Sequence, residues 1–276
     1  MLLHFTKMHG LGNDFVVFDL LSQNASLTSE QIRYIADRRR GIGCDQVLLV
    51  EPPNNPNNDF HYRIFNCDGN EVEQCGNGAR CFGKFVYDKK LTGKQQLRVS
   101  TNTGTIGITL LDNDKVQVDM GQAIFDPVRI PFVADQQADR YTLIHDQGQS
   151  EISAVSMGNP HAVLLVDNVE TAPVHSLGAL LEQHERFPEK VNVGFMQRLS
   201  SSAIKLRVFE RGVGETQACG SGACAAVVCG QQLGLLDETV DVELRGGKLS
   251  IQCRGDNDSV LMTGDACKVY DGKIIL

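Results

Sequence analysis

Two cysteines of this 276-residue chain open the same short motif. The first runs Cys75-Gly76-Asn77-Gly78-Ala79-Arg80-Cys81 and the second Cys219-Gly220-Ser221-Gly222-Ala223-Cys224. The thirteen residues ending at each cysteine, 63–75 and 207–219, also align without a gap, each stretch starting on an arginine. A cysteine titrates near about 8.5 and is mostly protonated at neutral pH, but the N–H groups and positive potential of a helix start lower that value. The glycines let backbone N–H groups approach a ligand closely, and the same groups can bind a carboxylate. Such a device can activate a thiolate and hold a substrate carboxylate beside it. A bound carboxylate stabilises charge developing at the adjacent α-carbon, as an oxyanion hole does. With a thiolate on one face and a thiol on the other, a proton leaves and another returns with inversion. The two cysteines would then occupy opposite protonation states and titrate as a coupled pair.

Bulk properties narrow the alternatives. A hydrophobic content of 42% and a charged content of 22% are ordinary for a globular protein with a sizeable core. The net charge of −8 offers no footprint for nucleic acid. The basic cluster Arg38-Arg39-Arg40 is expected to end a helix and complement its dipole. No apolar run approaches the roughly 18–20 residues of a membrane span, and the N-terminus lacks the layout of a signal peptide, so a cytoplasmic location is the expectation. The nine cysteines are odd in number and include no Cys-x-x-Cys pair. They read as thiols, with no disulfide framework and no metal site. Cys44, Cys67, Cys224, Cys229, Cys253 and Cys267 are expected to be buried structural residues.

The elements that must position the motifs repeat as well. In the first half, strands are expected at 3–8 and 15–20. A helix capped by Thr28, with Gln31 completing a capping box, runs to about Arg38 and ends at Gly41. Strands at 46–51 and 60–66 lead to a helix at 77–90, and three short strands carry the chain to about Met120. The second half repeats the order: strands at 151–157 and 162–166, a helix at 176–185, strands at 192–198 and 204–210, a helix at 221–233, then strands. Gly158-Asn159 echoes Gly12-Asn13. The repeat unit is about 140 residues, the size of a domain. The fold class is therefore α/β (α+β), with two similar domains. The expected boundaries are 1–120, carrying Cys75 and joined by the C-terminal segment 264–276, and 121–263, carrying Cys219.

At these motifs the chain resembles the diaminopimelate epimerases, along essentially its whole length. The resemblance is carried by Gly10-Leu11-Gly12-Asn13-Asp14-Phe15, Gly43-Cys44-Asp45-Gln46, Asn66-Cys67-Asp68-Gly69 and Glu73-Gln74-Cys75-Gly76-Asn77-Gly78-Ala79-Arg80-Cys81. It continues in Met157-Gly158-Asn159-Pro160-His161, Asn192-Val193-Gly194, Glu210-Arg211-Gly212 and Cys219-Gly220-Ser221-Gly222. Proline-racemase-like and phenazine-biosynthesis-like enzymes of the wider fold family lack this combination, particularly the Glu-Arg-Gly approach to the second cysteine. Cys44, Cys67 and Gly83-Lys84 depart from frequent family residues and touch no assigned role.

The resemblance implies that each domain is a barrel-like, mostly antiparallel sheet around a central helix, with the active site in the cleft between domains. It implies interconversion of LL- and meso-2,6-diaminopimelate without pyridoxal phosphate or another cofactor, in lysine and peptidoglycan-precursor synthesis. Cys75 and Cys219 would transfer the protons, with His161 and Glu210 tuning their ionisation. Asn13, Gln46, Asn66, Gly76, Asn77, Asn159, Asn192, Glu210, Arg211, Gly220 and Ser221 would contact substrate. It further implies a homodimer with Tyr270 near the contact. Within the repeat, Asn66-Cys67 aligns with Glu210-Arg211. The added acid and guanidinium would grip the non-reacting amino-acid end of a two-ended substrate. Two other readings remain at this stage: a proline- or hydroxyproline-racemase-like isomerase, which needs no Glu210-Arg211 pair, and a non-catalytic thiol protein sensing redox state through Cys75 and Cys219.

Overall fold

The computed structural model describes residues 1–72, 75–102, 104–255 and 258–276. Glu73 and Gln74 of the first cysteine segment lie outside the described residues. The chain divides into two compact units: Met1–Asp119 with Thr263–Leu276, and Met120–Met262.

In unit 1, β1 (Leu2–Gly10) and β2 (Asn13–Asp19) form a hairpin through a turn in which Leu11 and Gly12 both have positive φ, 57° and 86°. The chain crosses through α1 (Ser29–Ala36) to β3 (Gln46–Glu51), which pairs parallel with β2. β4 (Phe60–Asn66) returns antiparallel to β3, and the two-residue β5 (Glu71–Val72) folds back on β4. The helix α2 (Gly76–Asp88) follows, then the meander β6 (Gln96–Thr101), β7 (Gly104–Leu110) and β8 (Val116–Asp119).

Unit 2 repeats this path. The hairpin β9 (Tyr141–His145) and β10 (Gly148–Ser156) leads to β11 (Pro160–Leu165). The turn before β11 carries Gly158 at φ 88°, the counterpart of Gly12, so both turns demand the conformational freedom of glycine. A crossover through α3 (Val174–Glu182) makes β12 (Asn192–Arg198) parallel to β11. β13 (Ala203–Glu210) and the short β14 (Gly214–Glu215) precede α4 (Gly220–Gln232), and β15 (Thr239–Leu244) with β16 (Gly247–Gln252) forms the next hairpin. After β17 (Leu261–Gly264) the chain ends in β18 (Cys267–Ile275), which pairs antiparallel with β1 from Leu2↔Ile275 to His9↔Cys267, across an irregularity at Lys7/Met8.

Each unit is thus a mostly antiparallel sheet around one central helix. Strand β3 shows why. Val47, Leu48, Leu49 and Val50 are all buried, as expected for a strand covered on both faces. Val47 and Leu49 pack with Ile32 and Ile35 of α1, while Leu48 faces α2 at Gly78. In α4, Gly220 and every residue from Gly222 to Gly230 are buried, the pattern of a helix apolar all round.

The capping box forms: Gln31 N–H donates to Thr28 Oγ1 at 3.3 Å, and Gln31 Oε1 accepts from Thr28 N–H at 3.0 Å. The helix ends earlier than expected, at Ala36, because Asp37 turns extended and its carboxylate takes the N–H groups of Arg39 and Arg40. Arg38–Arg40 therefore do not complement a helix dipole. Arg38 pairs with Asp14 and Asp45, and Arg40 with Asp37. Two cysteines also depart from expectation. Cys44, Cys224, Cys229 and Cys253 are buried, but Cys67, in the turn between β4 and β5, and Cys267, at the start of β18, are exposed.

Candidate active site

Cys75 is the N-cap residue of α2, with extended backbone at φ −139° and ψ 119°. Its carbonyl oxygen accepts the Ala79 N–H at 2.8 Å, the first turn of the helix, and the Tyr62 hydroxyl at 3.4 Å. A Cβ on Gly78 would lie 2.5 Å from that hydroxyl, so only glycine fits over the buried tyrosine. The Cys75 thiol donates to Asn13 Oδ1 at 3.6 Å, and the same oxygen accepts from Asn77 Nδ2 at 3.3 Å. Asn13 is oriented in turn by donating its Nδ2 to Asp45 Oδ2 at 3.1 Å. Asp45 shares Arg38 with Asp14, and Lys7 reaches Asp14 at 2.5 Å. Burial alone would push the Asp14 carboxyl up, but hydrogen bonds from Arg38 and Lys7 outweigh it and hold that carboxyl well below the usual range. On neighbouring strands, Gln46 Nε2 donates to Asn66 Oδ1 at 2.8 Å.

Cys219 is the N-cap residue of α4, extended at φ −109° and ψ 110°. Here the sulfur is an acceptor: the Gly222 N–H donates to it at 3.4 Å. The Ser221 hydroxyl lies 3.7 Å from the same sulfur. Elsewhere in unit 2, His161 starts the parallel pairing of β11 with β12, opposite Asn192. Its Nε2–H donates to Asn159 Oδ1 at 3.0 Å. Burial, then the positive charge of Arg211, lowers its pKa to about 3, so this imidazole is neutral at physiological pH. Asn192 ties two chain segments together, donating to the Pro160 carbonyl at 3.0 Å and accepting from the Arg211 N–H at 3.0 Å. The Arg211 guanidinium is held by the Glu189 carbonyl at 3.0 Å, and the Thr216 hydroxyl donates to Glu210.

The structure gathers Cys75, Asn13 and Asn77 into one bonded cluster, with Gly76 at the helix start and Gln46 bonded to Asn66 on the adjoining strands. In unit 2 it gathers Cys219, Gly220 and Ser221 at the helix start, joins Asn159 to His161, and links Asn192 to Arg211. Tyr270 lies apart from these groups, on exposed β18 with its ring edge-on to Phe5 at 5.9 Å. Sequence reasoning missed the supporting groups: Asp45 and Asp14 behind Asn13, Tyr62 under Cys75, and Glu182, which accepts the Gly212 N–H at 2.7 Å. The Tyr62 signal was present, since the repeat places a leucine, Leu206, where unit 1 has a hydroxyl. Burial pushes the Cys44 thiol up to about 12 and raises Cys81 and Cys229 well above the ordinary value, which makes these three inert at neutral pH.

Two units of this topology define a fold shared with solved epimerases and PhzF-family proteins. A hydroxyproline epimerase from Agrobacterium vitis superposes with a TM-score of 0.71 at 14% identity, over 99% of this chain and 92% of that one. A PhzF-family phenazine biosynthesis protein from Bacillus anthracis gives 0.69 at 14% identity over 100% of both chains. These likenesses concern the fold. The sequence profile described as diaminopimelate epimerase matches residues 5–125 and 153–269. Proteins named diaminopimelate epimerase from Ectopseudomonas mendocina and Stutzerimonas stutzeri are 55% and 54% identical over 100% of both chains. The chain belongs to the diaminopimelate epimerase family.

Proposed function

We propose that this chain is a cofactor-independent isomerase that interconverts LL- and meso-2,6-diaminopimelate, on the route to lysine and peptidoglycan precursors. The observation that carries this reading is the repetition itself: two equivalent cysteines, each the N-cap of a buried central helix and each followed by Gly-x-Gly. Thiolate sulfur on one face takes the proton from the α-carbon, and the electron pair left behind is delocalised into the substrate carboxylate. The thiol on the opposite face delivers its proton, leaving the enzyme with its protonation reversed. One N–H-rich helix start supports a thiolate, and the carboxylate binds to backbone N–H groups such as those of Gly76 and Gly220. Asn13, Asn77, Gln46 and Asn66 of unit 1, and Asn159, Asn192 and Ser221 of unit 2, offer donors and acceptors without net charge, suiting a zwitterion. Neutral His161 and acidic Glu210 tune the thiols, and Glu210 with Arg211 takes the far amino-acid end.

Reduced protein incubated with LL-diaminopimelate in deuterated water should yield meso product with deuterium at the inverted α-carbon, read by NMR. Absence of both product and label would refute the assignment.

The same reading makes the enzyme a cytoplasmic homodimer. Support comes from β18, where Val269, Tyr270 and Ile275 are exposed apolar side chains beside exposed Leu2 of β1. No helix among the described residues is long and apolar enough to cross a membrane. Sedimentation equilibrium should give twice the chain mass, and Tyr270→Asp should shift it toward one chain.

A further inference from the structure

We propose that an arginine–glutamate fork stands behind each cysteine and positions it: Arg63 with Glu71 in unit 1, and Arg207 with Glu215 in unit 2. These two arginines open the aligned stretches that lead to the cysteines, and the substrate reading gives them no task. In both halves the glutamate follows the arginine by eight residues and precedes the cysteine by four. Both forks are bidentate. Arg63 Nε and Nη2 donate to Glu71 at 2.8 and 2.8 Å, and Arg207 Nε and Nη2 donate to Glu215 at 2.6 and 2.9 Å.

Their place in the fold gives the fork a consequence for the thiol. Glu71 sits on β5 opposite Phe65, and Glu215 sits on β14 opposite Phe209. Each fork therefore locks a two-residue strand against the long strand that carries its arginine. In unit 2, Thr216–Ala218 lead from that lock directly into the N-cap cysteine, and in unit 1 the sequence spacing from Glu71 to Cys75 is the same. Planar, two-point geometry fixes the direction of that approach in a way a single lysine contact cannot. An exposed ion pair contributes little; the unit 2 fork is sheltered, with the Glu215 side chain only 1% exposed, while Arg63 and Glu71 are half-buried. Glu215 also meets Arg245 at 3.1 Å and His175 at 2.9 Å, and Arg207 donates to the Val169 carbonyl at 2.7 Å. In unit 1 the second partner is instead acidic: Glu51 lies 3.3 Å from Arg63. The two forks share their geometry and differ in their surroundings, so the fork itself is the common requirement.

This proposal rests on both cysteines being proton-transfer groups, and its test needs no substrate. In the full, reduced chain, carboxamidomethylation of each cysteine by iodoacetamide is followed by peptide mass spectrometry across about pH 6–10, the range in which a thiolate forms. Arg207→Met should slow Cys219 by about tenfold, one unit in thiolate pKa, and leave Cys75 within about twofold. Arg63→Met should do the reverse. Unchanged profiles at both thiols alongside a lower unfolding temperature would reduce the forks to structural ion pairs and overturn the proposal. So would equal shifts at both cysteines. If Arg207→Met does not fold, Arg207→Lys keeps the charge without the fork and should still slow Cys219 alone; an unchanged Cys219 in that variant overturns the proposal equally. Local shifts in a chain that fails to epimerise diaminopimelate would refute the function and leave the forks standing.

Discussion

Cys75 and Cys219 hold the same place in the repeat, yet their sulfur atoms meet opposite kinds of partner. Cys75 donates its S–H to the Asn13 carbonyl oxygen, an interaction that exists only for the thiol. Cys219 accepts the Gly222 N–H, which strengthens when the sulfur is negative. The surroundings diverge in the same sense. Behind Asn13 stand two carboxylates held by Lys7 and Arg38, a network that fixes the amide with its oxygen toward Cys75. Unit 2 has Pro160 and His161 where unit 1 has Asp14 and Phe15, and its polar groups tie backbone segments together. One scaffold thus gives its two repeat-equivalent sulfurs different neighbours, an amide oxygen at Cys75 and a backbone N–H with the Ser221 hydroxyl at Cys219. The proposed reaction, taking a proton with one sulfur and returning one from the other, calls for such an inequality between the two thiols.

The comparison breaks first at the sulfurs. Cys75→Ala and Cys219→Ala should each lower epimerisation by about a thousandfold or more, the scale of general acid–base catalysis. Chiral chromatography of the product gives the measurement, and full inversion by either variant would end the two-thiol reading. Arg211 tests the asymmetric part. Arg211→Lys keeps a charge but loses the two-point fork, and kcat/KM for LL-diaminopimelate should fall by roughly 10–100-fold, as for loss of a charge-assisted hydrogen bond. Unaltered affinity and stereoselectivity would show that the far end of the substrate is held elsewhere. The polarity of the two thiols comes next. In the wild-type chain without substrate, the pH profiles of alkylation should differ between the two thiols, with Cys219 reacting at lower pH if its Gly222 N–H contact outweighs its burial. Asn13→Ala should narrow the gap from the Cys75 side, because the acceptor that favours its protonated form is gone.

Much of this was legible in the sequence, for identifiable reasons. Strands β3, β4 and β12 begin and end where their apolar runs and turn residues place them. The capping box fixed the start of α1, whereas its end was missed because nothing in periodicity announces that Asp37 will take the Arg39 and Arg40 N–H groups. The cysteines stood out through repetition, and so did Arg63 and Arg207, although their partners four residues before each cysteine were not paired with them. What the sequence hid are contacts between distant segments. Asp45 bonds Asn13 across 32 positions, and although the C-terminal segment was expected to join the first domain, nothing local gave the register in which β18 pairs with β1. Such contacts depend on the folded path, and a single chain carries no local signal for them.

Acid offers the smallest and most discriminating test of the difference between units. His161 has a folded pKa of about 3, below the ordinary value of about 6.5 for an exposed imidazole. Folding therefore favours its neutral form. The associated stability is fully present above about pH 6.5 and is lost as pH falls toward 3, because the unfolded chain binds the proton first. Asp14 is depressed as well, but from the ordinary carboxyl value, so its contribution is lost only at lower pH. Between about pH 6.5 and 4, unit 2 should therefore weaken through His161 while the Asp14 network of unit 1 holds. Hydrogen exchange should show protection falling around β11 and β12 before β1 and β2. In His161→Gln, which cannot take the proton, the slope of stability against pH in that window should flatten. An unchanged slope would mean that His161 is not the group that makes unit 2 the acid-sensitive half.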